Sequence, residues 1–169
     1  MKKAVLFSLV IALVAVLAVM SAVPGAAKAS RITTCALQTN TQEIPGKVWV
    51  SHDGTVLHIR GQITYADITP LAGHLECDPE YSNGQMEMEV NINLNLVTGE
   101  GVAYGKHTIQ VDGHDGGWEG TYRGKITAEG YYGKAISHGT GDLEGLLQKV
   151  NIVQTGSITY ETYGFVLVP

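Results

Sequence analysis

Residue types that do chemistry are sparse in this chain, and few of them stand at spacings that a reaction requires. The densest group is Asp112-Gly-His-Asp-Gly-Gly117, with His107 nearby, which offers oxygen and imidazole donors for a metal at a hairpin tip. Its spacing lacks the alternating ligands and closing Glu of an EF-hand loop, and turns select Asp and Gly for backbone reasons alone. Turn chemistry is the favoured reading, and no metal is expected. His52 and His58 flank Asp53-Gly54, and His74 precedes Cys77, with no H-E-x-x-H or C-x-x-C pattern around them. Glu87 and Glu89 stand two apart on one strand face, roughly 7 Å from each other, a separation that suits a carboxylate pair. Their face continues as Asn91, Asn93 and Asn95, which reads as a solvated exterior. Facing a barrel lumen instead, it would form a polar ladder for a sugar. No G-x-S-x-G elbow or phosphate-cradling loop occurs, so serine-hydrolase and nucleotide chemistry have no support, and no cofactor is expected.

The two cysteines, Cys35 and Cys77, allow a single pairing. In an exported chain that pair is expected to oxidise, and closing its loop is worth roughly 4 kcal/mol on the chain-entropy model. The bridge would pin the N-terminal segment to the loop from Pro70 to Asn83. A catalytic thiol is the alternative, and it needs a partner His that sequence does not locate.

Export is read from the N-terminus. Lys2 and Lys3 precede an uncharged apolar stretch from Ala4 to Met20, and Ala27-Lys28-Ala29 has the small-x-small form of a signal-peptidase site. Cleavage is expected before Ser30, leaving residues 30–169 as one domain outside the cytoplasm, secreted or in the cell envelope. A retained anchor is the alternative, since the stretch extended to Val23 is nearly long enough to span a bilayer. Removing residues 1–29 takes away three lysines and deepens the net charge from −5 to −8. So acidic a chain gives no electrostatic reason to expect nucleic acid or an anionic membrane as partner. With 44% hydrophobic and 16% charged residues, the composition is that of a small globular domain.

The elements that would position any site are strands. From Met86 to Leu96 every even residue is apolar and every odd one polar, the period of a strand buried on one face. Lys47 to Ser51 and Thr55 to Tyr65 flank Asp53-Gly54, a pairing that suits a type I′ hairpin. Further strands are expected at Ile32 to Gln38, Val102 to Val111, Trp118 to Ala128, Tyr131 to His138, Leu147 to Gln154 and Ser157 to Val168, with only a turn at Asp142 to Leu146. Eight or nine strands in so short a chain favour an all-β, closed antiparallel barrel of about eight strands, because closure removes aggregation-prone edges. A sandwich is the alternative. Gly120 and Gly124, inside a strand, fit the tight coiling of a small barrel.

The segment Lys134-Ala-Ile-Ser-His-Gly-Thr-Gly-Asp-Leu-Glu-Gly-Leu146 resembles the strand, G-[ST]-G-x-[FL]-x-G, strand pattern of allene oxide cyclase and dirigent-type barrels. Gly139, Gly141 and Gly145 take the glycine places and Leu143 the aromatic or aliphatic one. Gly117-Trp-Glu-Gly-Thr-Tyr-Arg-Gly124 is similar to the paired strand of secreted bacterial members. The resemblance covers about a quarter of the chain and implies a calycin-like barrel with a cavity, a tight glycine turn with Leu143 plugging one end, and a trimer. It carries over no catalytic residue: among Asp53, Asp67 and Asp78 no motif marks an equivalent of the pocket aspartates of dirigent proteins.

Three function classes compete. A secreted binding module would hold a small apolar molecule in the barrel with Met88, Val90, Ile92 and Leu94 from the alternating strand and with Trp118 and Tyr122. This is the preferred reading, and enzymatic activity is not the expectation. A cyclase-like or dirigent-like enzyme would need polar groups converging in the same cavity. A structural or surface-interaction protein would have a filled barrel. An outer-membrane barrel is opposed by the polar positions from Glu87 to Asn95.

Overall fold

The structure, a computed structural model, describes residues 29–169. The signal peptide expected over residues 1–29 therefore lies, but for its last residue, outside the described residues. The described chain is built from strands: β1 (Ser30–Ile44), β2 (Lys47–Val50), β3 (Val56–Pro70), β4 (Gly84–Asn95), β5 (Gly101–Val111), β6 (Gly116–Thr127), β7 (Gly130–Gly141), β8 (Leu147–Gln154) and β9 (Thr159–Val168). A single 3-10 turn, Pro79–Tyr81, interrupts the β3–β4 connection, capped by the Asp78 side chain accepting from the Glu80 amide.

From β2 onwards each strand is the antiparallel neighbour of the next, and β1 pairs with β9, giving the order β1-β9-β8-β7-β6-β5-β4-β3-β2. A further ladder, from Ala36 opposite Pro70 to Ile44 opposite Ile63, joins β1 to β3 and closes eight strands into a barrel. The ninth strand, β2, continues along the same side of β3 beyond Pro45-Gly46, pairing Lys47 with Arg60 through Val50 with Leu57. Stepping round the inner face from Thr34 through Gly164, Val150, Ala135, Tyr122, Gly105, Val90 and Gln62 returns to β1 just past Ile44, not at Thr34. That offset is the stagger that tilted barrel strands require.

Two bulges accommodate the curvature. Thr41 has no partner between the Asn40–Ala66 and Gln42–Tyr65 pairs. Arg60 and Gly61 together oppose Asn91, with Gly61 at φ +65, where only glycine sits without strain. The second bulge corrects one sequence expectation: Asn91 is buried, because its side-chain oxygen accepts from the Gly61 amide at 3.1 Å. A second correction concerns the β2–β3 turn. Gly54 has positive φ but Asp53 does not, so the connection is not type I′. Instead the Gly54 amide bonds to the Ser51 carbonyl, and the Asp53 carboxylate accepts from Ser51 Oγ and from the Thr55 amide and hydroxyl. These contacts hold the Asp53 carboxyl below its ordinary range.

One end of the barrel is plugged. Val111, Trp118, Leu143 and Val166 are buried against Ile32, Tyr81 and Leu146. Leu143 reaches this cluster because Gly141 and Gly145 both turn through positive φ, and a Cβ on Gly139 would overlap the Leu143 carbonyl. The β3–β4 loop folds over the same end, tied by the Cys35–Cys77 disulfide and by the Asp78 amide bonded to the Thr33 carbonyl. The outer wall carries Glu87, Glu89, Lys106, Arg123, Lys134 and Lys149, all exposed. No helix among the described residues is long and apolar enough to cross a membrane.

Replacing both bridge cysteines, Cys35→Ala with Cys77→Ala, is expected to lower the unfolding free energy by about 4 kcal/mol in guanidinium titrations. A loss below about 1 kcal/mol would show that hydrogen bonds alone hold the loop on the barrel.

Candidate functional site

Above the plug, small residues are interspersed along the inner wall. Ala36, Ala66, Ala103 and Ala135 are buried there, and glycines stand at further inward positions of β5, β6, β7 and β9. Two of the large rings, Tyr122 and Tyr131, lie against these glycines. The Tyr131 phenol covers Gly133 and Gly124, where an added Cβ would overlap it. Tyr122 reaches past Gly105 and donates to the Glu89 carbonyl at 3.2 Å. Pairing glycine with a covering aromatic protects the bare backbone but leaves the centre open.

What remains open is a cavity of about 260 Å³, roughly the liquid volume of nine waters. Met88, Val90, Ile92 and Tyr122 line it, as do Met86, Ile109, Ile126 and Ile152. Leu94 and Trp118, expected from the sequence to stand with them, do not. Leu94 lies further along β4 between Leu57 and Gly101, and Trp118 is in the plug, fully buried. The wall also carries residues that apolar alternation did not reveal: Thr34, Gln38, His107, Tyr131, Gln148 and Tyr160. Their signal was the inward register of β1, β5, β7, β8 and β9, which depends on strand pairing.

The polar groups divide into satisfied and unsatisfied ones. Gln38 donates to Asn40 at 2.9 Å and lies 3.8 Å from the Met88 sulfur. His107 Nε2 and Ser137 Oγ share a hydrogen bond of 2.8 Å, and burial holds the imidazole down at about 4, hence neutral at ordinary pH. Burial likewise pushes the Tyr122, Tyr131 and Tyr160 phenols up, so they stay protonated. Glu43, exposed where the lining meets solvent, is the one charged side chain of the wall. By contrast, Thr34 Oγ1 and Tyr131 OH have no hydrogen-bond partner, although the residues are only 2% and 9% exposed.

The His107–Ser137 contact is half of a nucleophile–base arrangement, but Ser137 is not part of the cavity wall, and the neutral imidazole is fixed by burial. The pair reads as a satisfied core hydrogen bond. The hairpin-tip residues are likewise occupied with loop contacts. Asp112 accepts from Asn83 at 2.8 Å, Asp142 from the Asp115 amide at 3.0 Å, and His114 stands 3.6 Å from Glu80. Among the described residues, three or more metal-ligand side chains converge only at Cys35, His74 and Cys77, whose sulfurs form the disulfide. His74 Nδ1 meets Glu76 at 2.9 Å, which draws that carboxyl below its ordinary range. Glu87 and Glu89 face outward, away from the cavity. The sequence matches no known protein-family profile and no curated protein.

The buried histidine makes stability pH-dependent. With a folded value of about 4 against 6.5 in the open chain, the unfolded state takes up the proton first as pH falls. The stabilisation is therefore complete above pH 6.5 and is lost on descending through 4. Between pH 7 and 4.5 the wild type should lose about 2–3 kcal/mol more than His107→Gln. Parallel pH profiles for the two proteins in denaturant titrations would contradict this.

Proposed function

We propose that the protein is an exported binding module that holds a small, uncharged and largely apolar molecule inside the barrel. The observation that carries this reading is the pairing of an apolar cavity with two buried hydroxyls, Thr34 Oγ1 and Tyr131 OH, that lack partners. Leaving a buried hydroxyl unsatisfied costs about 1–3 kcal/mol, and a ligand oxygen accepting from it recovers that cost. Few oriented polar groups in an apolar wall are what small-molecule sites use for specificity.

The chemistry of the wall narrows the ligand. No cationic side chain lines the cavity, so a buried anion would go uncompensated, and a buried cation would find only Glu43 at the solvent edge. A neutral molecule with one or two hydrogen-bonding oxygens fits. The disulfide and the glycine turn around Leu143 support a place among exported barrels of the allene oxide cyclase type, as architecture only. An enzyme of that type would need a titratable group poised at the cavity, and His107, held neutral and tied to Ser137, supplies poor acid–base chemistry there.

Native mass spectrometry of the protein recovered from its own producing cells should show an adduct of one defined mass. Ala135→Phe places a ring in the cavity between Tyr122 and Val150, and should abolish the adduct while unfolding stays cooperative. An empty wild-type mass, or an adduct that survives Ala135→Phe, would contradict binding inside the barrel.

A further inference from the structure

Charge is unevenly distributed over the molecule. Residues 30–169 hold twice as many acids as bases, yet the ion pairs within 4.0 Å among the described residues are His74–Glu76 and His114–Glu80, with no Lys or Arg in either. Glu76, Asp78, Glu80, Asp112, Asp115, Asp142 and Glu144 crowd the loops at the plugged end. The bases gather instead on the outer wall. Arg123 on β6 stands directly opposite Lys134 on β7, and Lys125 follows two residues along the same face of β6. Lys106 on β5 faces Thr121 on one side and Glu89 on the other, and Lys149 on β8 faces Ile136, each lysine diagonal to the central pair, while Glu119 lies further along the same face of β6. All five are exposed.

This group continues towards β2. Tyr104 lies opposite Arg123, and the Arg60 guanidinium stands 5.7 Å from the Tyr104 ring. Arg60 is also 5.6 Å from the Trp49 ring, donates to Asn93 at 2.6 Å and to the Ile59 and Ile92 carbonyls at 2.8 Å, and so contributes its charge from a fixed, half-buried position, while Lys47 is 5.4 Å from the same ring. Trp49 itself is stacked on His58 at 5.0 Å. The result is a belt across the strands from β2 to β8, about 30 Å along the curved wall at the usual strand spacing. Like charges directly opposite each other destabilise a sheet, and here no carboxylate offsets the Arg123–Lys134 pair.

We propose that this belt is a docking surface for a linear acidic polysaccharide, whose carboxylate or sulfate groups pair with Arg60, Arg123, Lys134 and their neighbours. Guanidinium and ammonium groups spaced along a line match anionic groups repeating along a polymer. Asn93 Oδ1 is occupied by His58 Nδ1 and Arg60, which leaves the Asn93 amide nitrogen and His58 Nε2 to meet hydroxyls. A flat anionic membrane does not fit, because the barrel wall curves and a plane meets few of its strands at once. A single-stranded nucleic acid fits less well, because stacking needs free ring faces. Trp49 is already stacked on His58 and Tyr104 already covered by Arg60.

The test is titration of the exported protein with heparin at several salt concentrations, beside neutral dextran, single-stranded DNA and phosphatidylglycerol vesicles. Heparin should bind with an affinity that falls steeply with salt, and dextran should not bind. The double reversal Arg123→Glu with Lys134→Glu should weaken heparin at least about tenfold. The single change Lys134→Glu, which sets opposite charges face to face, should weaken heparin while raising the unfolding temperature, so a folding defect cannot account for the loss. Three results would overturn the proposal: no heparin binding at low salt, heparin binding indifferent to both variants, or tighter binding of DNA or vesicles than of heparin.

Discussion

The ladder between β1 and β3 is the constraint on which the rest of the structure depends. Every other pairing joins chain neighbours or β1 to β9, and would leave an open, coiled sheet with two edges. Closure turns one face of each strand inward and creates an interior with a fixed circumference. Both bulges lie on the strands that make this seam, at Thr41 and at Arg60-Gly61, and the break at Pro45-Gly46 lies where β1 leaves the barrel and β2 begins. The disulfide acts on the same seam from outside, holding the loop that follows β3 to Cys35 of β1.

Once the barrel is closed, its contents follow from residue size. The plugged end is filled by Trp118, Leu143, Val111 and Val166, all buried. Higher up, alanines and glycines face inward and the tyrosines lie flat on the glycines, so the wall is thin and the axis open. The cavity is the space that these small side chains leave, and its chemistry is set by the longer apolar and polar ones that line it. Burial keeps the tyrosines and His107 uncharged, which makes the interior apolar in character with isolated hydrogen-bonding points. Apart from Glu43 at the solvent edge of the cavity, charge lies on the outside, where acids crowd the plugged end and a group of bases around Arg123 and Lys134 stands on the wall beside Glu89 and Glu119.

Much of the fold was legible in the sequence because antiparallel neighbours need only local signals. The alternation from Met86 to Leu96 marked β4, and two cysteines could pair in only one way. The departures all require knowledge of a partner strand. Asn91 reads as a surface residue until the Arg60-Gly61 bulge covers it. Leu94 and Trp118 have the parity of cavity residues, but parity says which face a side chain takes and not its height along the barrel. Thr34, Gln38 and Gln148 are polar residues on inward faces, which apolar periodicity passes over. Net charge was the least informative: a value of −8 for residues 30–169 averages over a belt of cations that only the register of β5 to β8 brings together.

The most direct measurement of the central claim, that the barrel encloses a ligand cavity with two hydroxyls awaiting partners, is a high-resolution diffraction map of the protein purified from its producing cells. Density for an organic molecule within hydrogen-bond distance of Tyr131 OH or Thr34 Oγ1, bounded by Met88, Val90 and Ile92, is the predicted result. A collapsed interior, with the Tyr131 hydroxyl bonded to another protein group and apolar side chains meeting across the axis, would contradict it.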